Sequence, residues 1–137
     1  RENEVHKKYF AVVHNRKFKK KNKFLGGITM AEEVLDIEII AMTLIGHAGE
    51  TKSLAYQAMN AAKEGKFDEA EEFMKKSTEE MLKAHELQTD LIVREAGGEK
   101  MEVGLIMVHS QDHLMTAILF KELAKEFIEV YKRLEQK

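Results

Sequence analysis

Residues 101–120 read MEVGLIMVHSQDHLMTAILF, and only Glu102 and Asp112 among them carry a formal charge. Placed on a helix, Leu105, Ile106, Met107, Val108, Leu114, Met115, Ile118, Leu119 and Phe120 surround it rather than line one side. A helix that is apolar all round has to be buried all round. Downstream the pattern turns amphipathic, with Leu123, Phe127, Val130 and Leu134 reading as inward and Lys and Glu as outward. One helix over about Val103–Glu135 is therefore expected. Two partner helices cover only part of such a surface, so the stretch predicts an oligomer with this helix at its centre.

Two seams run along it. His109, His113, Thr116, Phe120, Leu123, Phe127, Val130 and Leu134 follow alternating 4-3 spacing, and Leu105, Val108, Asp112, Met115 and Leu119 form a second seam beside it. The second puts one carboxylate in an apolar stripe, where a lone buried charge costs several kcal/mol unless it is paired or neutralised. On a symmetry axis, copies of Asp112 converge and a divalent cation relieves their repulsion. Otherwise Asp112 faces water or His109.

Working outward, the rest of the acidic unit is also helical. Thr29-Met30-Ala31-Glu32 has capping-box form and opens a first helix that runs to about Lys63. Its inner face carries Val34, Ile37, Ala41, Leu44 or Ile45, Ala48, Ala55, Met59 and Ala62, and a break or bend is expected at Gly46 and Gly49. Gly65 supplies a left-handed C-cap. Asp68-Glu69-Ala70-Glu71 again has capping-box form, and the second helix carries Ala70, Met74, Ser77, Met81, Ala84, Gln88 and Leu91 inward before ending near Glu95 and turning at Gly97-Gly98. The fold class is all-α, an up-down-up three-helix bundle.

The chain has 137 residues, no proline and no cysteine, which excludes a disulfide scaffold, a thiol nucleophile and any cysteine-ligated metal site. No apolar run approaches the ~20 residues of a membrane span, and the chain reads as soluble and cytoplasmic. Its net charge of −2 conceals an asymmetry. Residues 1–29 hold nine Lys/Arg against two Glu, with the charge concentrated in Arg16–Lys23, whereas residues 30–137 are acidic. This basic arm, with its short apolar run Tyr9–Val13, reads either as an appendage not native to the domain that begins at Met30 or as a contact for nucleic acid or another anionic surface.

Of the six histidines, His6 and His14 fall in the arm, His47 between glycines, and His85 near Gln88 and Thr89. His109-Ser110-Gln111-Asp112-His113 packs two imidazoles, a carboxylate and an amide into little more than one turn. The i,i+4 pair His109 and His113 could bind zinc, with Asp112 or His85 completing the shell. Alternatively, one imidazole takes and passes a group, and a site in the second turn of a helix favours an arriving phosphate.

Val108-His109-Ser110-Gln111-Asp112-His113-Leu114-Met115-Thr116 resembles the signature of the lactose/cellobiose-type enzyme IIA components of the bacterial phosphoenolpyruvate-dependent sugar phosphotransferase system. The resemblance extends to Ala61–Phe67, Ala84–Thr89 and Arg94–Glu99 and covers roughly Ala31 to Arg133. It implies a homotrimer around the third helices. It also implies that His109 accepts a phosphoryl group from HPr and passes it to a cysteine of a IIB component, for uptake of a disaccharide through the membrane IIC component. Gln111 and His113 would support His109, and three copies of Asp112 would hold a divalent ion, Mg2+, at the axis. Nucleic acid is not expected as a partner of such a carrier. Ser110 departs from the small Ala or Gly usual after the active histidine, and the arm has no counterpart in the pattern. Two rival readings are a helical metal-binding protein using His109, His113, Asp112 and His85, and a nucleic-acid-binding bundle acting through the arm.

Overall fold

The computed structural model describes residues 29–136, with side chains from Ile37 onward. Residues 1–28 of the basic arm, with His6 and His14, and the side chains of Thr29, Glu32 and Val34, on which the first capping box and the start of the inner face rest, lie outside the described residues. Among the described residues three helices follow one another: α1 Thr29–Lys63, α2 Phe67–Ala96 and α3 Leu105–Glu135. They run up, down and up, as the spacing of apolar residues predicts. α1 is continuous through Gly46 and Gly49, so the helix does not break there.

Both turns are set by a left-handed glycine. Gly65 has φ 74°, its N–H donates to Ala62 O, and the Lys66 N–H reaches back to Ala61 O at 2.9 Å. Gly98 has φ 89°, with Gly98 N–H bonded to Glu95 O and Glu99 N–H to Arg94 O. In each case the glycine satisfies the last orphan carbonyls of the helix. At the second turn the Arg94 guanidinium also clasps Glu99, with Nε 2.9 Å from Oε2. The capping box expected at Asp68 does not form: α2 starts one residue earlier, at Phe67, its N-cap is Lys66, and no side chain caps it. Asp68 and Glu69 lie inside the first turn instead, where acidic groups still complement the helix dipole.

α1 is the hub. Ile37, Ala41, Leu44, Ala48, Thr51, Ala55, Ala58 and Ala62 are all buried, at unbroken alternating 4-3 spacing. One end of the core joins Ile37, Ala41, Leu44 and Ala48 to Ala84 and Leu91 of α2 and to Met107, Leu114 and Ala117 of α3. The other joins Ala58, Ala61 and Ala62 to Ala70 and Ile128. Small residues bring the backbones close. At mid-height Ser77 Oγ donates to the Thr51 carbonyl and Thr51 Oγ1 to the His47 carbonyl, each at 2.8 Å.

The inward face of α3 differs from expectation. Met107, Ser110, Leu114, Ala117, Lys121, Ala124 and Ile128 are buried, whereas Leu123, Phe127, Val130 and Leu134 are 48–59% exposed. With Leu105, Val108, Met115 and Leu119, also exposed, they form an apolar stripe along the outward side of the helix. Large uncovered apolar patches are rare on monomers, so the stripe favours association.

His47 and Glu80 tie α1 to α2, with His47 Nδ1 2.6 Å from Glu80 Oε2. The Lys83 ammonium and then the His47 ring hold the Glu80 carboxyl below the usual carboxylate value. A depressed folded-state pKa stabilises above the unfolded value of 4.5, and that contribution is lost as pH falls through the lower folded-state value. Glu80→Gln should therefore soften the drop in melting temperature between about pH 5 and pH 3. Superimposable pH–melting curves for the two proteins would show that the tie contributes nothing.

Candidate functional site

The polar cluster of α3 spreads over three of its flanks, because residues one or two apart on a helix do not face the same way. His109 is exposed and His113 half-buried. Their rings meet edge-on, with centroids 4.4 Å apart and planes at 70°. Asp112 is exposed and sits in the outward apolar stripe between Val108 and Met115. Its carbonyl accepts a hydrogen bond from Thr116 Oγ1 at 2.8 Å.

Gln111 points to α2, away from the histidine pair. Gln88 Nε2 donates to Gln111 Oε1 at 2.6 Å, and Gln111 Nε2 lies 3.5 Å from Met107 Sδ. The amide also borders a cavity of about 210 Å³ lined by Ile37, Leu91, Met101 and Met107. Gln111 therefore holds the opening turns of α3 against α2. The Gln88–Gln111 bridge was not foreseen in the sequence, where both residues appear only as members of separate motifs.

Ser110 is buried, and its hydroxyl donates to the Met107 carbonyl at 2.7 Å. The polar atom returns to its own helix, so serine fills a position that would suit alanine.

The start of α3 is electrostatically open. Gly104 is its N-cap, no side chain caps it, and its first turn holds no acidic residue. The N-terminal N–H groups and the positive end of the helix dipole thus meet no carboxylate from the first turn, an arrangement that favours an anion near the second turn. His109 is in that turn. The chemistry on offer is an accessible imidazole, steadied by a second ring, at the anion-tolerant end of a helix.

The metal-ligand reading fails within a single subunit. Among the described residues no three His, Asp or Glu side chains gather in a way that could hold a metal ion. His85 is half-buried on α2, and its carbonyl accepts Thr89 Oγ1; it forms no metal-binding set with His109, His113 and Asp112. Nor is any described helix long and apolar enough to cross a membrane.

Residues 39–132 match the family model described as PTS system, Lactose/Cellobiose specific IIA subunit. The chain is 46% identical over 101 residues to the lichenan-specific phosphotransferase enzyme IIA component of Bacillus subtilis, covering 74% of this chain and 92% of that one. It is 44% identical over 103 residues to the N,N'-diacetylchitobiose-specific EIIA component of Escherichia coli, covering 75% and 89%. The fold superposes on the crystal structure of the cellobiose-specific enzyme IIA from Bacillus anthracis with a TM-score of 0.72, at 50% identity over 74% of this chain and 93% of that one. It also superposes on the IIA(Chitobiose) solution structure determined in complex with HPr, with a TM-score of 0.65, at 42% identity over 72% and 96% of the two chains.

Ser110→Ala should leave unfolding stability within about 1 kcal/mol of the parent, as measured by urea denaturation. A loss well beyond that would mean that the hydroxyl does more than return to its own helix.

Proposed function

The chain belongs to the lactose/cellobiose-specific IIA subunits of the sugar phosphotransferase system, and as such is a phosphotransferase component; on that footing we propose that His109 is its phosphoryl-carrying residue. The observation that carries this reading is the exposed His109 ring, set edge-on against His113 in the second turn of α3. Phospho-HPr is the donor and a cysteine of a IIB component the acceptor, with a membrane IIC component taking up a disaccharide of the lactose, cellobiose or chitobiose class. A cytoplasmic location goes with that sequence of partners.

The transfer asks chiefly for positioning and charge stabilisation. A lone pair on one His109 ring nitrogen, Nε2 in this reading, attacks phosphorus in line with the donor's P–N bond. That bond breaks with its electron pair returning to the donor imidazole. Delivery to the IIB thiolate repeats the exchange, with the His109 nitrogen as leaving group. The second nitrogen of His109 keeps its proton throughout, which fixes the tautomer. His113 limits rotation of the His109 ring, the α3 N-terminus tempers the charge of the arriving group, and Gln111 supports the site from behind through Gln88.

The exposed stripe of α3 is covered by two further copies of the chain, giving a homotrimer around the third helices. Asp112, exposed in an apolar stripe, suits a place on the axis. Its carboxylate oxygens are the hard donors that Mg2+ prefers, and three copies would hold such an ion, whose charge offsets their repulsion.

Incubation with phosphoenolpyruvate, enzyme I and HPr should add one acid-labile phosphoryl group to the chain and none to His109→Ala, read by mass spectrometry. A folded wild-type protein that gains no phosphoryl group would sink the carrier assignment. Exhaustive treatment with a chelator should lower the melting temperature of the wild-type assembly and leave that of Asp112→Ala unchanged. An unmoved wild-type transition would exclude an ion at the axis.

A further inference from the structure

The flank of α3 that carries His113 and Phe120 faces α1, and the register between these helices follows from one ring contact. They run in the same direction, and the Tyr56 ring on α1 stacks against Phe120 on α3, with centroids 6.3 Å apart and planes at 25°. One heptad earlier on each helix stand Gly49 and His113. One heptad before those stand Met42 and Ile106. The core agrees with this register: one cluster joins Leu44 and Ala48 to Met107 and Leu114, the other Ala58 and Ala62 to Ile128. A seven-residue step returns to nearly the same face of a helix, so Tyr56, Gly49 and Met42 form one row on α1. Phe120, His113 and Ile106 form the facing row on α3.

Gly49 is therefore a gap in a row of large side chains, level with His113 and about one turn from the level of His109. The gap is open, since a Cβ built on Gly49 meets no atom within 4 Å. The backbone does not call for glycine either: Gly49 lies inside a continuous helix, and among the described residues only Gly65 and Gly98 have positive φ. Glycine is among the least favourable residues for a helix interior, and neither packing nor backbone geometry explains this one.

We propose that Gly49 is a positioning residue of the phosphoryl site: its missing side chain leaves a notch between Tyr56–Phe120 and Met42–Ile106 that admits the phosphoryl-bearing side chain of the partner to the His109 ring. The inference rests on His109 being the phosphorylated residue and adds the path by which its donor arrives. It also gives His113 a second surface, because the half-buried ring that touches His109 on one side borders the notch on another. Filling the notch displaces the incoming group, and a misplacement of about 1 Å can cost about a hundredfold in rate.

The test follows acid-labile mass gain at His109 over time in the full chain and in Gly49→Ala, Gly49→Leu and Glu50→Leu. Each is supplied with phospho-HPr or with the small donor phosphoramidate. Glu50 is the neighbouring exposed position, turned about 100° around the helix, and serves as the control. Gly49→Leu should lose about a hundredfold in rate from phospho-HPr, with Gly49→Ala intermediate, while phosphoramidate reacts nearly as it does with the wild type. Glu50→Leu should stay within about twofold of the parent, and Gly49→Ala should melt higher than the parent because alanine favours the helix. Equal rates for Gly49→Leu and wild type with phospho-HPr would overturn the notch alone. So would equal slowing with both donors in a variant that melts lower, which marks a folding defect. A folded wild-type chain that accepts no phosphoryl group from either donor would overturn the carrier reading and the notch together.

Discussion

The buried 4-3 seam of α1 is the constraint on which the rest of the molecule depends. It is built largely of alanine, so α2 and α3 can approach α1 closely while making much less contact with each other. Close approach of this kind tolerates little sliding, because ridges of small side chains lock into grooves. The lock places Tyr56 opposite Phe120 and carries the same register down to His113. It also leaves the outward side of α3 uncovered, since both partner helices are spent on its inner side. Histidine flank, open stripe and mid-height polar ties all follow from one helix being packed on two sides.

α3 divides its tasks by angle around its axis. Toward the core it presents Met107, Ser110, Leu114 and Ala117; toward α2, the amide of Gln111; toward the α1 flank, His113; outward, Asp112 in an apolar stripe, with His109 at its border. His109 shares its angle around the helix with Phe127 of the outward stripe, so chemistry and assembly adjoin on α3. A residue can serve the reaction without entering the core, and the core can tighten without changing the exposure of the reacting ring.

Much of this was legible in the sequence. The three helices, the left-handed glycine at Gly65 and the His109–His113 pair follow from 3-4 spacing and turn chemistry that are local in the chain. The family signature carried the functional assignment further than the residues alone could. The inner face of the second half of α3 was misread for a physical reason. Two stripes with the same spacing compete there, and the one made of large apolar residues faces outward. The one that packs within the subunit runs through Ala117, Lys121, Ala124 and Ile128. Periodicity reveals that a face is apolar, but not whether its partner belongs to the same chain. Lys121 is the extreme case, since its ammonium pairs with the adjacent Glu122 at 2.8 Å from a largely buried position. Gln88 and Gln111 were out of reach because pairing across helices depends on a register that no local pattern reports. Asp68 was expected as a cap, but α2 began one residue early.

The Tyr56–Phe120 stack has a consequence in optics rather than mechanics. The chain contains three tyrosines and no tryptophan, so no stronger fluorophore absorbs or overwhelms tyrosine emission. Tyr56 is half-open to solvent and leans on a ring of the helix that carries the reacting imidazole. A change in how α3 sits on α1 alters both the solvent around that phenol and the ring it rests on. The protein thus carries a native light-emitting reporter two helical turns above His113, at a seam where an introduced dye would itself disturb the packing.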